Sequence, residues 1–208
     1  MSAALDRLYA AARDFVDASP ELSAFARLPA DPPRGALTPS PIPALTHLPR
    51  HFPSPAASTA GRALAEAVVA AADEIAWLLT YDEALVGADF LARYGWFELL
   101  GPTGHFHDET LVAFIGYWGP GLRYPWHKHA SREIYAVVDG GAVFEREGAP
   151  ARELGPGETS PHASWQAHAL QTAEAPVLAL ALQAGEDLNG VPVILEEGPD
   201  GTLREAVA

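Results

Sequence analysis

The stretch Tyr124–Tyr135, Y-P-W-H-K-H-A-S-R-E-I-Y, places the strongest constraint on how this chain can fold. It holds two histidines and a glutamate, which are the ligand types that proteins offer to divalent iron, zinc, manganese or nickel. The position numbers of His127, His129, Glu133 and Tyr135 differ by even amounts. Side chains alternate between two faces of an extended chain, so all four can point to one side. The pattern therefore favours strand structure in this stretch.

A closed metal site draws ligands from more than one strand, so a further ligand is expected elsewhere in the chain. His168, within Q-A-H-A-L, is the best candidate for that ligand. An isolated H-x-H pair commonly binds no metal, and the wider spacing around His127 and His129 therefore decides the interpretation.

That wider spacing is the first signature motif of the cupin superfamily. Gly121 is followed by His127, His129, Glu133 and Gly140, with gaps of five, one, three and six residues. The whole spacing is matched, and the chain is identified on this basis as a cupin.

The second cupin motif is matched less closely. Gly155 leads by five residues to Pro161, as the motif requires, but Ala163 replaces the usual glycine. The gap to His168 is two residues longer than usual, and Thr172 stands where asparagine is expected. This second motif gains its weight from following the first at a suitable distance.

A narrower resemblance is to the cupin-type dimethylsulfoniopropionate (DMSP) lyases. The pattern H-x-H-x-x-x-E-x-Y, with a tyrosine three residues before its first histidine, is present complete. The resemblance covers the second half of the chain in detail. The residues and segments that carry it are Tyr124, His127, His129, Glu133, Tyr135, His168, Trp96–Gly104 and Ser160–Leu170.

The resemblance implies a metal-dependent lyase that cleaves DMSP to dimethyl sulfide and acrylate. It implies Tyr135 as the base that removes the α-proton, or as a metal ligand that substrate displaces. Tyr124 orients the substrate carboxylate or acts as a second acid or base. The motif spacing predicts one divalent Fe, Zn, Mn or Ni ion per chain at His129, Glu133 and His168, with His127 beside it.

The chemistry of this residue set is consistent with proton abstraction. A phenol has a pKa of about 10, which is too high for an efficient base at neutral pH. A nearby divalent cation stabilises the phenolate and lowers that pKa. Aromatic faces also suit the sulfonium cation of DMSP, and the candidate aromatic residues near the motifs are Trp118, Tyr124, Trp126 and Trp165.

Other polar residues are weaker candidates. His162 neighbours the second motif, and we interpret it as a residue beside the ligands rather than a ligand. His105 and His107 form a second H-x-H, but no glutamate follows them at the right offset. The other residues without a motif are His47, His51, Glu98, Asp108 and Glu109.

Two alternatives to the lyase remain open from the sequence. The same ligands serve cupin iron dioxygenases that act on small organic acids. A non-catalytic cupin that binds a small acid is the other alternative, although no helix-turn-helix or basic patch supports a regulator. The native metal and the physiological substrate stay undetermined at this level, because His and Glu ligands accept several metals.

Composition limits the partners of the protein. The 208 residues include 13 basic and 27 acidic side chains, a net charge of −14 that disfavours binding to nucleic acid or anionic lipid. The chain has no cysteine, no apolar run of about 18 residues and no signal-peptide pattern. We therefore expect a cytoplasmic protein that binds a small-molecule substrate, as a monomer or a homodimer.

Helices are expected in the first part of the chain. Residues 3–17 carry apolar side chains at helical spacing, and Ser19 with Pro20 suggests a short second helix through about Arg27. Residues 58–80 predict the longest helix, and a further short helix is expected over Glu83–Tyr94.

Between these helices, residues 29–55 contain nine prolines, which exclude long helices and central strands. Ile42, Leu45, Leu48 and Phe52 give this segment apolar surface to bury. We interpret it as a segment that wraps the domain, with a flexible linker as the alternative.

Strand patterns dominate the second part of the chain. Short runs rich in β-branched and aromatic residues alternate with Gly, Pro or Asp at Thr110–Trp118, Glu133–Val138, Ala142–Arg146 and Pro176–Gln183. The chain is thus predicted to be mainly β, with a single antiparallel, jelly-roll-like cupin barrel. Residues 1–95 form a helical, proline-rich extension that packs on the barrel domain, residues 96–208.

Overall fold

The computed structural model describes residues 2–188 and 190–206. Residue 189 and residues 207 and 208, which belong to the predicted barrel domain, lie outside the described residues, as does residue 1 of the predicted extension. In the described part, the α-helices are α1 (Ala3–Ala18), α2 (Pro20–Phe25), α3 (Leu48–His51), α4 (Thr59–Ala71), α5 (Glu83–Val86) and α6 (Ala88–Ala92).

The strands follow the helices along the chain. They are β1 (Tyr94–Gly101), β2 (Phe106–His107), β3 (Leu111–Trp118), β4 (Arg123–Lys128), β5 (Arg132–Gly140), β6 (Ala142–Arg146), β7 (Arg152–Leu154), β8 (Thr159–His162), β9 (His168–Gln171), β10 (Val177–Ala184), β11 (Val193–Glu197) and β12 (Leu203–Glu205).

These strands form two six-stranded sheets. The first sheet has the order β2-β1-β3-β10-β5-β8, and the second has the order β12-β11-β4-β9-β6-β7. Among the described strands, the short β1–β2 pair is parallel and the other pairs are antiparallel. The predicted mainly β, antiparallel fold with N-terminal helices is confirmed.

Strand β10 shows how the first sheet separates two cores. Leu178, Leu180 and Leu182 pack in a core shared with the N-terminal helices, while Ala179 and Ala181 face the interior between the sheets. This alternation follows from the two-residue period of a strand. The three leucines therefore lie on the helix side, and the two alanines lie on the interior side.

Helices α1 and α4 cover the outer face of this sheet. Helix α1 begins at Ser2, whose Oγ accepts a hydrogen bond from the Leu5 N–H at 3.1 Å, and it matches the predicted helix 3–17. Helix α4 comes very close to β5, because a Cβ on Gly61 would lie 2.3 Å from the Val138 carbonyl oxygen. A glycine is required at this contact.

The predicted helix 58–80 is wrong in its second half. Helix α4 ends at Ala71, and after one 3-10 turn the backbone is extended from Ile75. Leu78 exchanges two backbone hydrogen bonds with Trp96, at 2.7 and 3.2 Å. Asp73 and the glutamate after it add negative charge at the helix C-terminus, which disfavours its continuation. Pairing with the first sheet therefore replaces the helix.

Two smaller boundaries also differ from the prediction. The short helix expected over Glu83–Tyr94 is divided at Gly87, which has a φ of 81°, and strand β1 already begins at Tyr94. Helix α2 ends at Phe25 rather than near Arg27. A positive φ is incompatible with continuing an α-helix, so the glycine separates α5 from α6.

The proline-rich segment packs part of its apolar side chains against the core. It contains one 3-10 turn and the four-residue helix α3, and Ile42, Leu48 and Phe52 are buried in the core on the helix side. Ile42 occupies the space where a side chain on Gly95 would lie, since a Cβ there would be 1.9 Å from its Cδ1.

Across the described residues, no helix has the length and hydropathy needed to cross a lipid bilayer.

The packing of β10 predicts a large stability effect at Leu180. This side chain is fully buried between the sheet and the helices, so Leu180→Ala should lower the free energy of unfolding by about 2–5 kcal/mol. Leu37→Ala, at a side chain with 40% exposure, is the matched control and should have little effect. Chemical denaturation measures both variants, and equal stability of the two would contradict this packing.

Candidate active site

The motif residues come from two facing sheets rather than from one face of a single extended chain. His127 lies on β4 in the second sheet, and His129 lies in the connection that follows it. Glu133 and Tyr135 lie on β5 in the first sheet. His168 is the register partner of His127 on the neighbouring strand β9. The turn after β4 therefore folds the motif across the interior between the sheets.

Three histidines share one hydrogen-bonding pattern that fixes their ring orientation. The Nδ1 atoms of His127, His129 and His168 lie 2.9, 3.0 and 2.9 Å from backbone carbonyl oxygens two residues away. A carbonyl only accepts hydrogen bonds, so each Nδ1 carries the proton. The Nε2 of each ring then carries a free lone pair. This is the tautomer that a histidine needs in order to bind metal through Nε2.

Glu133 lies at the centre of these rings. Its Oε2 is 3.0 Å from the His168 Nε2 and 3.3 Å from the His129 Nε2. The Nε2 of His168 is buried and has no hydrogen-bond partner among the described residues, although the Glu133 Oε2 is only 3.0 Å away. Lone pairs of imidazole nitrogens thus face a carboxylate, an arrangement that a cation between them would stabilise.

Burial and its neighbours act in opposite directions on Glu133. Burial raises the pKa of this carboxyl, but the rings of His129, His162 and His168 together lower it, and the pKa lies well below its usual value. Burial, with His168 beside it, also holds the pKa of His127 well below its usual range. Glu133 is therefore favoured as an ionised carboxylate and His127 as a neutral imidazole, which are the forms that bind metal.

His162 adds a fifth member to this cluster. Its ring stacks on the His168 ring with centroids 4.1 Å apart, and its Nδ1 lies 3.5 Å from Glu133 Oε2. Its Nε2 lies 3.1 Å from the hydroxyl of Ser160. Two groups of side chains have donor atoms close enough for one metal ion, namely His127 with His129 and His168, and Glu133 with His162 and His168. This buried His/Glu cluster can hold a metal ion.

Gln183 is a residue that the sequence did not reveal. It is the register partner of Glu133 on β10, and its amide donates a 2.7 Å hydrogen bond to Glu133 Oε1. Its own oxygen accepts a hydrogen bond from the Ser131 hydroxyl at 3.2 Å. Gln183 therefore fixes the carboxylate oxygen that points away from the histidines. Pairing between β10 and β5 brings Gln183 to the site, so no local sequence motif predicts its position.

Tyr124 enters the same interior because of a bulge. Between Tyr124 and His127 strand β4 advances three residues while β9 advances two, from Leu170 to His168. The extra residue reverses the alternation of side chains at this point. Tyr124 therefore faces the site together with His127, although their odd separation predicts opposite faces.

Two further hydroxyl groups, of Tyr94 and Thr80, lie near the Tyr124 hydroxyl. The Tyr94 hydroxyl lies 3.5 Å from that of Tyr124 and 3.0 Å from the Thr80 hydroxyl. Burial, followed by the neighbouring Tyr81, raises the pKa of Tyr124 well above its usual value. Burial, followed by the charge of Glu133, does the same to the pKa of Tyr135. Both phenols are protonated unless a positive charge lies nearby.

A cavity of about 450 Å³ connects these groups. Gly116, Ala179 and Ala181 contribute small residues to its wall, and the ring of Trp118 occupies the space where a Gly116 side chain would lie, 2.4 Å from a Cβ. The polar and aromatic residues of its wall include Thr80, Tyr94, Trp96, Glu98, Thr103, Phe114, Trp118, Tyr124, His127, His129, Glu133, Tyr135 and Gln183.

The four aromatic candidates for substrate binding do not all reach this cavity. Trp118 and Tyr124 lie in its wall, with ring centroids 5.4 Å apart. Trp126 is not part of the described lining, and its Nε1 donates to Glu197 at 3.1 Å. Trp165 is also outside the described lining and is 52% exposed. The structure thus separates Trp126 and Trp165 from the site.

The remaining histidines have partners away from the cluster. The Nε2 of His105 accepts from the Ala76 N–H at 3.0 Å, and His51 hydrogen-bonds to Tyr117 at 3.0 Å. His107 pairs with Glu109 at 2.9 Å. Glu98, which has no motif, lies in the cavity wall.

The fold and the site together define a cupin: the two packed sheets carry the histidines and the glutamate of the first motif on β4, on β5 and in the connection between them, with His168 on β9. Comparison with known families matches residues 18–179 to the dimethylsulfoniopropionate lyase family. The chain is also 37% identical over 193 residues to the dimethylsulfoniopropionate lyase DddQ of Ruegeria pomeroyi, covering 88% of this chain and 89% of that protein. The chain belongs to the DMSP lyase family.

Solved structures of the family are similar over nearly the whole chain. A chain from the crystal structures of the DMSP lyases RdDddP and RnDddQII superposes with a TM-score of 0.89 at 43% identity, covering 93% of this chain and 98% of that one. The crystal structure of DddQ from Ruegeria pomeroyi gives a TM-score of 0.85 at 35% identity, with coverages of 93% and 97%. The similarity thus includes the N-terminal helices as well as the sheets.

The convergence of lone pairs on Glu133 predicts one divalent ion per chain. Elemental analysis should find it in the wild type and find a large loss in His129→Ala and in His168→Ala. His107→Ala, a half-exposed histidine outside the cluster, is the matched control and should keep its metal. Full occupancy in both cluster variants would show that these histidines do not hold the ion.

Proposed function

We propose that this protein is a metal-dependent lyase that cleaves DMSP to dimethyl sulfide and acrylate, with a tyrosine as the base. One observation carries the proposal: His127, His129 and Glu133 share a cavity with Tyr135 and Tyr124. His168 completes a buried group of three histidines whose donor atoms lie close enough for one metal ion. The chain is a member of a family whose matched relatives are named for this activity.

The reaction requires one base and no redox change. The base removes a proton from the carbon next to the carboxylate, and the electron pair of that bond forms the double bond of acrylate. The bond between the β-carbon and sulfur breaks, and its electron pair leaves with sulfur as neutral dimethyl sulfide. The proton remains on the enzyme until it is passed to water.

The histidine cluster prepares the site for this step. A divalent ion held there would supply positive charge for the substrate carboxylate, which would make both the adjacent C–H and a nearby phenol more acidic. His127, His129 and His168 offer their Nε2 atoms for it, while Gln183 holds Glu133 in place. The backbone carbonyls that accept from each Nδ1 keep the three rings from turning.

Tyr135 is the base that we favour. It lies two residues beyond Glu133 on β5, so its side chain projects from the same face of the strand. Its ring centroid is 6.1 Å from that of His168, which brings the phenol near any charge held by the cluster. Burial and then the charge of Glu133 raise the pKa of Tyr135, so a positive charge held by the cluster would be needed to make it a base.

Tyr124 is suited to orient the substrate carboxylate or to act as a second acid or base. Its ring centroid is 4.8 Å from that of His127, and its hydroxyl neighbours that of Tyr94. The Tyr94 hydroxyl is 3.5 Å from that of Tyr124 and 3.0 Å from that of Thr80, so these groups are close enough to pass a proton to or from Tyr124. Tyr124 is therefore the alternative base.

The direct test is release of dimethyl sulfide from DMSP by the purified, metal-loaded protein, measured in the headspace. We expect turnover with acrylate formed in equal amount, and loss of turnover after chelation, with recovery on adding metal back. Oxygen consumption with small organic acids, without dimethyl sulfide, would instead indicate a dioxygenase. Metal binding with neither reaction would indicate a binding protein.

Removing one oxygen atom tests the base. Tyr135→Phe keeps the ring packing and should lower kcat by at least about 10²–10⁴-fold, the usual contribution of a general base, while the protein still binds metal. Tyr117→Phe, on the helix side of the first sheet, is the matched control and should keep kcat.

Tyr124→Phe decides between the two phenols. If this variant loses kcat while Tyr135→Phe keeps it, the two roles are reversed. If both variants turn over at the wild-type rate, a tyrosine base is the wrong mechanism.

A further inference from the structure

We propose that Glu98 binds the cationic end of the substrate and sets the preference of this cavity for a positively charged group. The inference rests on the proposed function for the identity of that group, which is the sulfonium of DMSP. Glu98 lies outside both cupin motifs and takes no part in the histidine cluster.

Glu98 is a buried carboxylate with no cationic partner. Its side chain lies in the cavity wall, the residue is 5% exposed, and no ion pair involving it occurs among the described residues. Isolated buried charges are costly, and proteins usually pair them with an opposite charge. A cationic ligand in the cavity would supply that partner.

The chain holds this carboxylate in a fixed orientation. Thr103 donates hydrogen bonds to both oxygens, from its N–H to Oε1 at 2.8 Å and from its hydroxyl to Oε2 at 2.6 Å. Gly101 leaves the space that the carboxylate needs, because a Cβ there would lie 2.2 Å from Oε1. The turn after β1 is therefore built around Glu98, and a carboxylate held this way can recognise a ligand without reorganising.

The rest of the wall also favours a cation. No lysine or arginine occurs in the lining, as far as the described residues go, and aromatic side chains lie beside Glu98. Trp96 is two residues before it on β1, and its ring meets that of Phe114 edge-on with centroids 4.7 Å apart. Aromatic faces attract sulfonium and quaternary ammonium groups. The other carboxylate of the wall, Glu133, is already surrounded by histidines.

The position of Glu98 matches the two ends of the substrate. Glu98, Phe114, Ala181 and Tyr135 are register partners in one row across β1, β3, β10 and β5. Three strand spacings separate the ends of that row at the backbone, roughly 14 Å, and both side chains reach inward from there. A carboxylate held at the histidine cluster thus directs the sulfonium, two carbons away, towards Glu98.

This role has a specific kinetic signature. The sulfonium loses its charge as the bond to sulfur breaks, so a carboxylate beside it stabilises the substrate at least as well as the transition state. Glu98→Gln should therefore raise KM by about tenfold or more and leave kcat unchanged or higher. Glu98→Asp keeps the charge and should recover part of the affinity. A loss of kcat at unchanged KM would overturn the assignment.

A binding experiment tests the charge preference without turnover. Calorimetry on the metal-loaded protein would compare trimethylammoniopropionate with the carboxylate of the same shape in which an uncharged carbon replaces the cationic nitrogen. The wild type should bind the cationic compound more tightly, and Glu98→Gln should lose that preference by about tenfold or more. Glu66→Gln removes the same charge from an exposed site on α4 and should keep the wild-type ratio. An unchanged ratio in Glu98→Gln would overturn the proposal.

The outcomes also separate this inference from the lyase proposal. If the wild type releases no dimethyl sulfide but Glu98→Gln loses the charge preference, the lyase function fails and the cation site stands. If the wild type is active and Glu98→Gln keeps both KM and the ratio of the two affinities, the lyase function stands and the cation site fails. Should Glu98→Gln fail to fold, Glu98→Asp gives the same comparison, because its retracted carboxylate should lower the ratio and an unchanged ratio would overturn the assignment.

Discussion

The structure depends on keeping one ionised carboxylate buried among imidazole rings. Glu133 is 1% exposed, and its oxygens face His129, His162 and His168 on one side and Gln183 on the other. A charge at this depth is tolerated only when its surroundings compensate it. Strands β8 and β10 of the first sheet, β9 of the second sheet and the connection after β4 supply these groups. The register of these strands must therefore suit a single side chain.

The sandwich meets this requirement by giving its first sheet two different faces. The outer face packs large aliphatic side chains against helices α1 and α4, while the inner face carries the polar and aromatic site. The helices thus provide burial that the small, ligand-lined interior cannot. The close contact between Gly61 and the Val138 carbonyl shows how directly α4 rests on β5, the strand that carries Glu133.

The sequence predicted what depends on local pattern. Motif spacing indicated that His127, His129, Glu133 and His168 meet, and the change to short strand-like runs indicated where the sheets begin. It could not predict Gln183, whose position depends on pairing between distant strands. The bulge before His127 was equally invisible, because parity assumes a regular strand. The residues after Ala71 misled the interpretation, since their apolar spacing suits both a helix and an extended segment until a pairing partner is known.

Leucine and alanine alternate along β10, so selection for stability acts on one face of this strand and selection for ligand recognition acts on the other. Substitutions at Ala179 and Ala181 reshape the cavity, while Leu178 and Leu180, on the opposite face, continue to hold the helices. Such a scaffold can diversify in what it recognises over many generations without first accumulating stabilising changes elsewhere. Variation among natural relatives should therefore concentrate on the cavity side of this strand, with its helix side changing far more slowly.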